Sequence, residues 1–104
     1  MPQTRPIVSI ENVVASADVY QKMDLNEITR TFSGVEYHPD NFPGLVFRIK
    51  TPKTATLIFT SGKMVCTGSK SSDLARKAVK TVVQKLRKGG IPVKKEATVT
   101  IQNI

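Results

Sequence analysis

LVFRIKTPKTATLIFTSGKMVCTG, Leu45–Gly68, carries three short strand-like runs in quick succession. Leu45–Lys50 (LVFRIK), Thr54–Thr60 (TATLIFT) and Lys63–Gly68 (KMVCTG) are rich in β-branched and aromatic residues, which fit a pleated surface. Thr51-Pro52-Lys53 and Ser61-Gly62 separate them, connections short enough for antiparallel hairpins. Side chains alternate between the two faces of a strand, so parity sorts the runs. Leu45, Phe47, Ile49, Ile58, Met64 and Cys66 share one face and are expected to form a core. Val46, Arg48 and Lys50, then Leu57, Phe59 and Ser61, then Lys63, Val65 and Thr67, share the other. A sheet face left to solvent should be mainly polar. This one mixes Leu, Phe and Val with basic residues at its margins, and an exposed apolar patch with a cationic rim marks a binding surface. The plainer alternative is a basic protein-interaction module whose sheet is covered by another domain or a partner chain.

Working outward, the spacing predicts a helix over Ser72–Lys88. Leu74, Ala75, Ala78, Val79, Val82, Val83 and Leu86 form an apolar stripe at helical period, with Arg76, Lys77, Lys80, Lys85 and Arg87 largely off it. Ser71 or Ser72 can cap its start, and Gly89-Gly90 stops it. Upstream, Ile7–Ala15 (IVSIENVVA) reads as a strand, and Asp24 can cap a short helix through Phe32. Ser33-Gly34 ends that helix, Val35–His38 reads as a short strand, and Pro39–Gly44 (PDNFPG) as a breaker-rich loop. Pro2 and Pro6 bracket residues 1–6, read as a loose leader.

At 104 residues the chain is one domain or a piece of a larger protein. With 39% apolar and 23% charged residues it has the make-up of a packed domain, not of a disordered segment. No apolar run approaches the roughly 20 residues of a membrane span, and no signal-peptide pattern opens the chain. Cys66 is the only cysteine, which excludes an intrachain disulfide and a thiolate zinc cluster and favours an intracellular compartment. Sixteen Lys and Arg against eight Asp and Glu give +8, a field that attracts polyanions, nucleic acid first and anionic membrane second.

Catalytic constellations are scarce. His38 is the sole histidine, so no histidine pair can bind zinc, and parity points Cys66 at the core. The glycines and lysines of Gly62-Lys63 and Gly68-Ser69-Lys70 do not form a phosphate-binding loop pattern. Asp18, Asp24, Glu27 and Glu36 lie on mostly polar, turn-like segments with nothing to pair them as acid and base. No enzymatic activity, cofactor or metal is expected. A repeat does stand out: Val99–Ile104 (VTIQNI) resembles Val8–Val13 (VSIENV) position for position, at an offset of 91. An internal repeat of that period predicts a molecule nearly twice this long with quasi-two-fold symmetry.

Three segments then converge: EYHPDNFPGLVFRIKTPK (Glu36–Lys53), TLIFTSGKMVCTGSKS (Thr56–Ser71) and SIENVVAS (Ser9–Ser16). Together they resemble the TATA-box-binding protein family, the general transcription factors of archaea and eukaryotes. The Glu-Tyr, Phe-Pro-Gly, Leu-Ile-Phe-x-Ser-Gly-Lys and Thr-Gly-x-Lys elements occur in order, and the resemblance runs from about Ile7 to Ile104. Phe-Pro-Gly points to the archaeal branch. The resemblance implies an α+β fold, half of a saddle: a curved antiparallel five-stranded sheet with two helices on its convex face. Residues 7–96 would be the first repeat and residues 97–104 the opening strand of a second.

In that family the concave sheet face lies on the DNA minor groove and bends the duplex, a mechanism established for the family and not read from this chain. Phe42 and Phe59 match its intercalating wedges. Asn12 matches a central asparagine that donates to minor-groove acceptors of A·T pairs, and Asn103 its counterpart in the second repeat. Val14, Leu57, Val65 and Thr67 match the apolar floor, which would clash with the exocyclic amino group of guanine. Arg48, Lys53 and Lys63 match phosphate-contacting positions, Ser61 a hydroxyl contact, and Lys50 fits the phosphate role by parity. An RNA-recognition domain would also carry sheet aromatics, but neither TLIFTS nor LVFRIK has the paired stacking pattern. Transcription factor B and the RNA polymerase machinery are the implied partners, mainly through the second repeat. The implied location is the cytoplasm or nucleoid of an archaeon, or the nucleus of a eukaryote. An unpaired edge, on Ile7–Ala15 or Thr98–Ile104, is expected to recruit a second copy as a homodimer.

Overall fold

The alternation in Leu45–Ser69 resolves into three antiparallel strands whose even and odd side chains go to different places. In the computed structural model, which describes residues 13–102, these are β2 (Leu45–Lys50), β3 (Lys53–Ile58) and β4 (Lys63–Ser69). Leu45, Phe47, Ile49, Ile58, Met64 and Cys66 are all buried, the set expected from parity. Before them come β1 (Val13–Asp18) and α1 (Leu25–Thr31); after them come α2 (Ser72–Lys88) and β5 (Thr98–Gln102). The five strands form one open antiparallel sheet in the order β2-β3-β4-β1-β5.

One face of this sheet is closed by helix. Ala75, Ala78, Val79, Val82, Val83 and Leu86 of α2 are buried in a single cluster with the inward side chains of the strands and with Leu25 and Ile28 of α1. Leu74 departs from the expected stripe and is exposed. At 3.6 residues per turn it lies about 100° from the centre of the Ala75–Leu86 stripe, beyond the reach of the sheet.

Both helices start on a side-chain cap. Asp24 accepts the Glu27 N–H at 3.1 Å, and Ser71 accepts the Leu74 N–H at 3.1 Å. Asp24→Ala or Ser71→Ala should each cost about 1 kcal/mol, since a first-turn donor loses its partner. For a domain of this size that is a fall of roughly 5 °C in the melting midpoint, measurable by circular dichroism.

Several boundaries differ from the sequence expectation, each because a non-local partner decides them. Residues 7–12 of the strand expected over Ile7–Ala15 lie outside the described residues. The described part continues to Asp18, because Ser16, Ala17 and Asp18 are paired on both sides, with Val65, Met64 and Lys63 of β4 and with Thr100, Val99 and Thr98 of β5. Asp18 is therefore a strand residue and not a turn residue. Over Val13–Asp18 the edge expected to recruit a second copy is covered by β4 and β5.

Val35–His38 is not a strand. It makes one isolated bridge, Glu36 with Val46, through N–H···O bonds of 3.1 and 2.8 Å. The chain then turns at once, as the His38 carbonyl accepts the N–H groups of Asn41 and Phe42 at 2.9 and 3.0 Å. β3 stops at Ile58 because the Phe59 N–H goes to Lys63 O and the Phe59 carbonyl accepts from Gly62, both at 2.9 Å. A bulge sits between β1 and β4, where the step from Val13 to Ala15 faces the longer step from Ser69 to Cys66.

Past α2, the chain returns to the sheet under the control of the loop after β1. Gln21 accepts the Lys94 N–H at 2.9 Å and donates to the Pro92 carbonyl, and Tyr20 Oη lies 2.7 Å from Thr98 Oγ1. Tyr20 does this with a positive φ of 56°. These contacts place β5 alongside β1.

Candidate nucleic-acid interface

The face opposite the helices is built by the residues of the other parity. Pairing aligns Val46, Leu57, Val65, Ser16 and Thr100 in one row across all five strands. A second row joins Arg48, Ala55 and Thr67. Val46, Leu57, Val65, Thr67 and Val14 are each partly exposed, so an apolar strip of β2, β3, β4 and β1 meets solvent. It becomes polar toward β5, where Thr98, Thr100 and Gln102 are exposed.

Phe42 and Phe59 come together beside this strip. Their ring centroids are 5.8 Å apart with planes at 67°, an edge-to-face pair. Phe42 is 42% exposed, an unusual position for a ring of that size. It is carried by the loop before β2, Phe59 by the first residue beyond β3. Ile58 and Phe59 therefore divide the two faces between them, with Ile58 wholly buried in the core.

Cations rim the strip. Lys50 and Lys53 face each other at the tip of the β2–β3 hairpin, where two like charges sit in register. Lys63 is exposed at the start of β4, and Ser61 is exposed in the turn before it. Arg48 is exposed too, but its guanidinium is engaged at 2.8 Å by the Glu36 carboxylate. Both side chains are half exposed, and such a surface pair contributes between 0 and about 1 kcal/mol. An incoming phosphate can displace it.

Of the residues singled out by sequence, the structure brings Val14, Phe42, Arg48, Lys53, Leu57, Phe59, Ser61, Lys63, Val65 and Thr67, with Lys50, onto one face. Asn12 and Asn103 lie outside the described residues. Sequence reasoning missed Glu36 as the partner of Arg48, and Ser16, Asp18 and the β5 side chains as members of the face. Asp18 accepts the Tyr20 N–H at 2.8 Å at the rim, opposite Lys63. Only the sheet register, which no local pattern announces, could have found them.

Chemically, the face offers cations at its margins, an apolar strip between them, and two rings at one end. That suits an extended polyanion that turns its non-ionic side to the strip. Among the described residues no group of three His, Cys, Asp or Glu side chains could hold a metal ion, and no helix is long and apolar enough to cross a membrane.

Comparison with known proteins points the same way. The family model described as transcription factor TFIID (or TATA-binding protein, TBP) matches residues 7–89. The TATA-box-binding protein of Archaeoglobus fulgidus is 54% identical over 97 residues, covering 93% of this chain and 53% of that protein. That of Sulfolobus acidocaldarius is 47% identical over 100 residues, covering 96% of this chain and 51% of its own length. The solved structure of Methanococcus jannaschii TBP superposes with a TM-score of 0.78 at 43% identity, covering 88% of this chain and 52% of that one. The chain thus spans about half the length of the relatives it matches. With its motifs, its open α+β sheet and these relatives in agreement, the chain belongs to the TATA-binding protein family.

Proposed function

We propose that this chain binds the TATA-box element of promoter DNA in the minor groove, bends it by Phe insertion, and so contributes to nucleating transcription initiation. The observation that carries the reading is the division between Ile58 and Phe59: the core takes Ile58, and Phe59 is left with Phe42 on an apolar strip rimmed by cations. Flat apolar rings can enter a base step, at a cost of a few kcal/mol for unstacking. Leu57, Val65 and Val14 supply an apolar floor that tolerates A·T edges and offers no partner to the guanine amino group. Arg48, Lys50, Lys53 and Lys63 would hold phosphates on either side, with Ser61 as a hydroxyl contact and Asn12 and Asn103 as donors to base acceptors.

Residues 7–96 would be the first repeat of a two-repeat saddle and residues 97–104 the first strand of the second. The antiparallel pairing of β1 with β5 supports this, since a two-fold axis normal to the sheet between two copies pairs their equivalent strands antiparallel. Transcription factor B and RNA polymerase are the partners such a factor would recruit. The outer edge of β5 would take either the rest of a second repeat or a second copy of this chain.

The test is fluorescence anisotropy of a labelled TATA duplex against a G·C-matched duplex across a salt series. Tighter binding to TATA is expected. If each of the four sheet-face cations meets one phosphate, log Kobs should fall with log salt at a slope of about −3.5. Lys53→Ala should reduce that slope by about 1, and Lys77→Ala, on the helix side, should leave it unchanged. Binding that ignores salt, or a slope that depends on Lys77 and not on Lys53, would refute the sheet face as the DNA site.

A further inference from the structure

Gly44 sits where the Pro39–Gly44 loop enters β2, and it is buried although it has no side chain to bury. Its φ is outside the left-handed region, so the backbone conformation does not demand glycine. Space demands it. A Cβ at this position would lie 2.7 Å from Phe42 Cε2, 3.0 Å from Phe59 Cε1 and 3.2 Å from Phe59 Cζ. Both rings of the edge-to-face pair thus rest against the bare backbone of one residue.

We propose that Gly44 is a positioning residue for the two wedges, a seat that holds Phe42 against Phe59 so that both rings reach a base step as one blade. The proposal rests on the DNA reading above. Phe42 stands on a loop and is 42% exposed, so its contact with Phe59 and Gly44 is part of what orders it. Fixing its ring before DNA arrives removes part of the entropy that binding would otherwise cost. A methyl group at position 44 would push hardest on the Phe42 ring, at 2.7 Å, and press more lightly on the Phe59 ring, at 3.0 Å; both are movable side-chain ends and neither is backbone. The Phe42 ring should therefore swing off Phe59 while the fold stays intact.

The test uses the 104-residue chain as Gly44→Ala, Phe42→Ala and the double variant. In the free protein, Gly44→Ala should lose the nuclear Overhauser contact between the two rings, with its melting midpoint within about 2 °C of wild type. Against a TATA duplex carrying 2-aminopurine at the insertion step, it should bind roughly 3- to 10-fold more weakly, the range set by losing one aromatic pair. The unstacking signal should fall with it. In the Phe42→Ala background, Gly44→Ala should change affinity by less than about 2-fold, because its closest contact, the Phe42 ring, is gone and Phe59 has room to yield. An intact ring contact with full unstacking in Gly44→Ala, or an equal loss in the Phe42→Ala background, overturns the role of Gly44. A wild-type chain that gives no unstacking signal overturns the DNA reading itself, and the wild-type signal alone tells the two failures apart.

Discussion

Phe42→Ala/Phe59→Ala should weaken binding of a TATA duplex by about 100-fold and abolish its bending, while leaving the protein folded. A base stacked on an aromatic ring is worth about 1–3 kcal/mol by alanine substitution. Two rings supply more than that before the unstacking of the base step is offset, so about 2.7 kcal/mol, or 100-fold, is a fair net. The fold should persist at reduced stability: neither ring belongs to the buried core, Phe42 being 42% exposed and Phe59 partly exposed, and their mutual contact contributes about 1 kcal/mol. The salt slope is the internal control. Lys50, Lys53, Lys63 and Arg48 are untouched by the substitution, so the phosphate contribution should persist at its wild-type slope. Anisotropy measures the affinity, and energy transfer between end-labelled duplex arms measures the bend. Equal affinity and equal end-to-end distance for the variant would rule out insertion.

The contrast with the neighbouring residue shows why this site could be read from sequence at all. Ile58→Ala would empty a wholly buried position between Leu45 and Met64 and cost stability, whereas Phe59→Ala should cost binding. That split follows from the period of two, which local sequence carries in full, and so do the outward Leu57, Val65 and Thr67. The α2 helix was legible for the same reason: its period and its Ser71 cap are both local. What stayed hidden was non-local. Val35–His38 has strand-like residues but finds a single bridge before Pro39 turns the chain. Ser16-Ala17-Asp18 has weak strand preference but lies between two partner strands, and the ladder on both sides decides. The engagement of Arg48 by Glu36 crosses the same bridge and has no local signal.

Gly62→Ala should be the most damaging of the glycine-to-alanine changes, and Gly68→Ala shows why. Both glycines have a φ of +94°, so each alanine would carry the left-handed penalty of about 1–2 kcal/mol. At Gly68 that is the whole cost, because a Cβ there would meet its nearest neighbours, Thr54 Cα and Lys53 O, at 3.7 and 3.8 Å. At Gly62 the Cβ would overlap the backbone carbonyl oxygen of Gln21 and lie 3.1 Å from its nitrogen. Neither side can yield cheaply. Gly62 donates to Phe59 O at 2.9 Å and accepts from the Val19 N–H at 3.1 Å, while Gln21 is tied to Pro92 and Lys94. Forcing these backbones apart adds about 1–3 kcal/mol, as overpacking generally does, for a total near 3–4 kcal/mol. The melting midpoint should then fall by roughly 15 °C or more, against roughly 5–10 °C for Gly68→Ala. Binding should suffer as well, because the displaced turn carries Phe59, Ser61 and Lys63 at the end of the sheet face where the rings stand. Equal midpoints for the two variants would mean that the Gln21 segment moves aside freely, and β5, which hangs from that segment, would then be loosely held too.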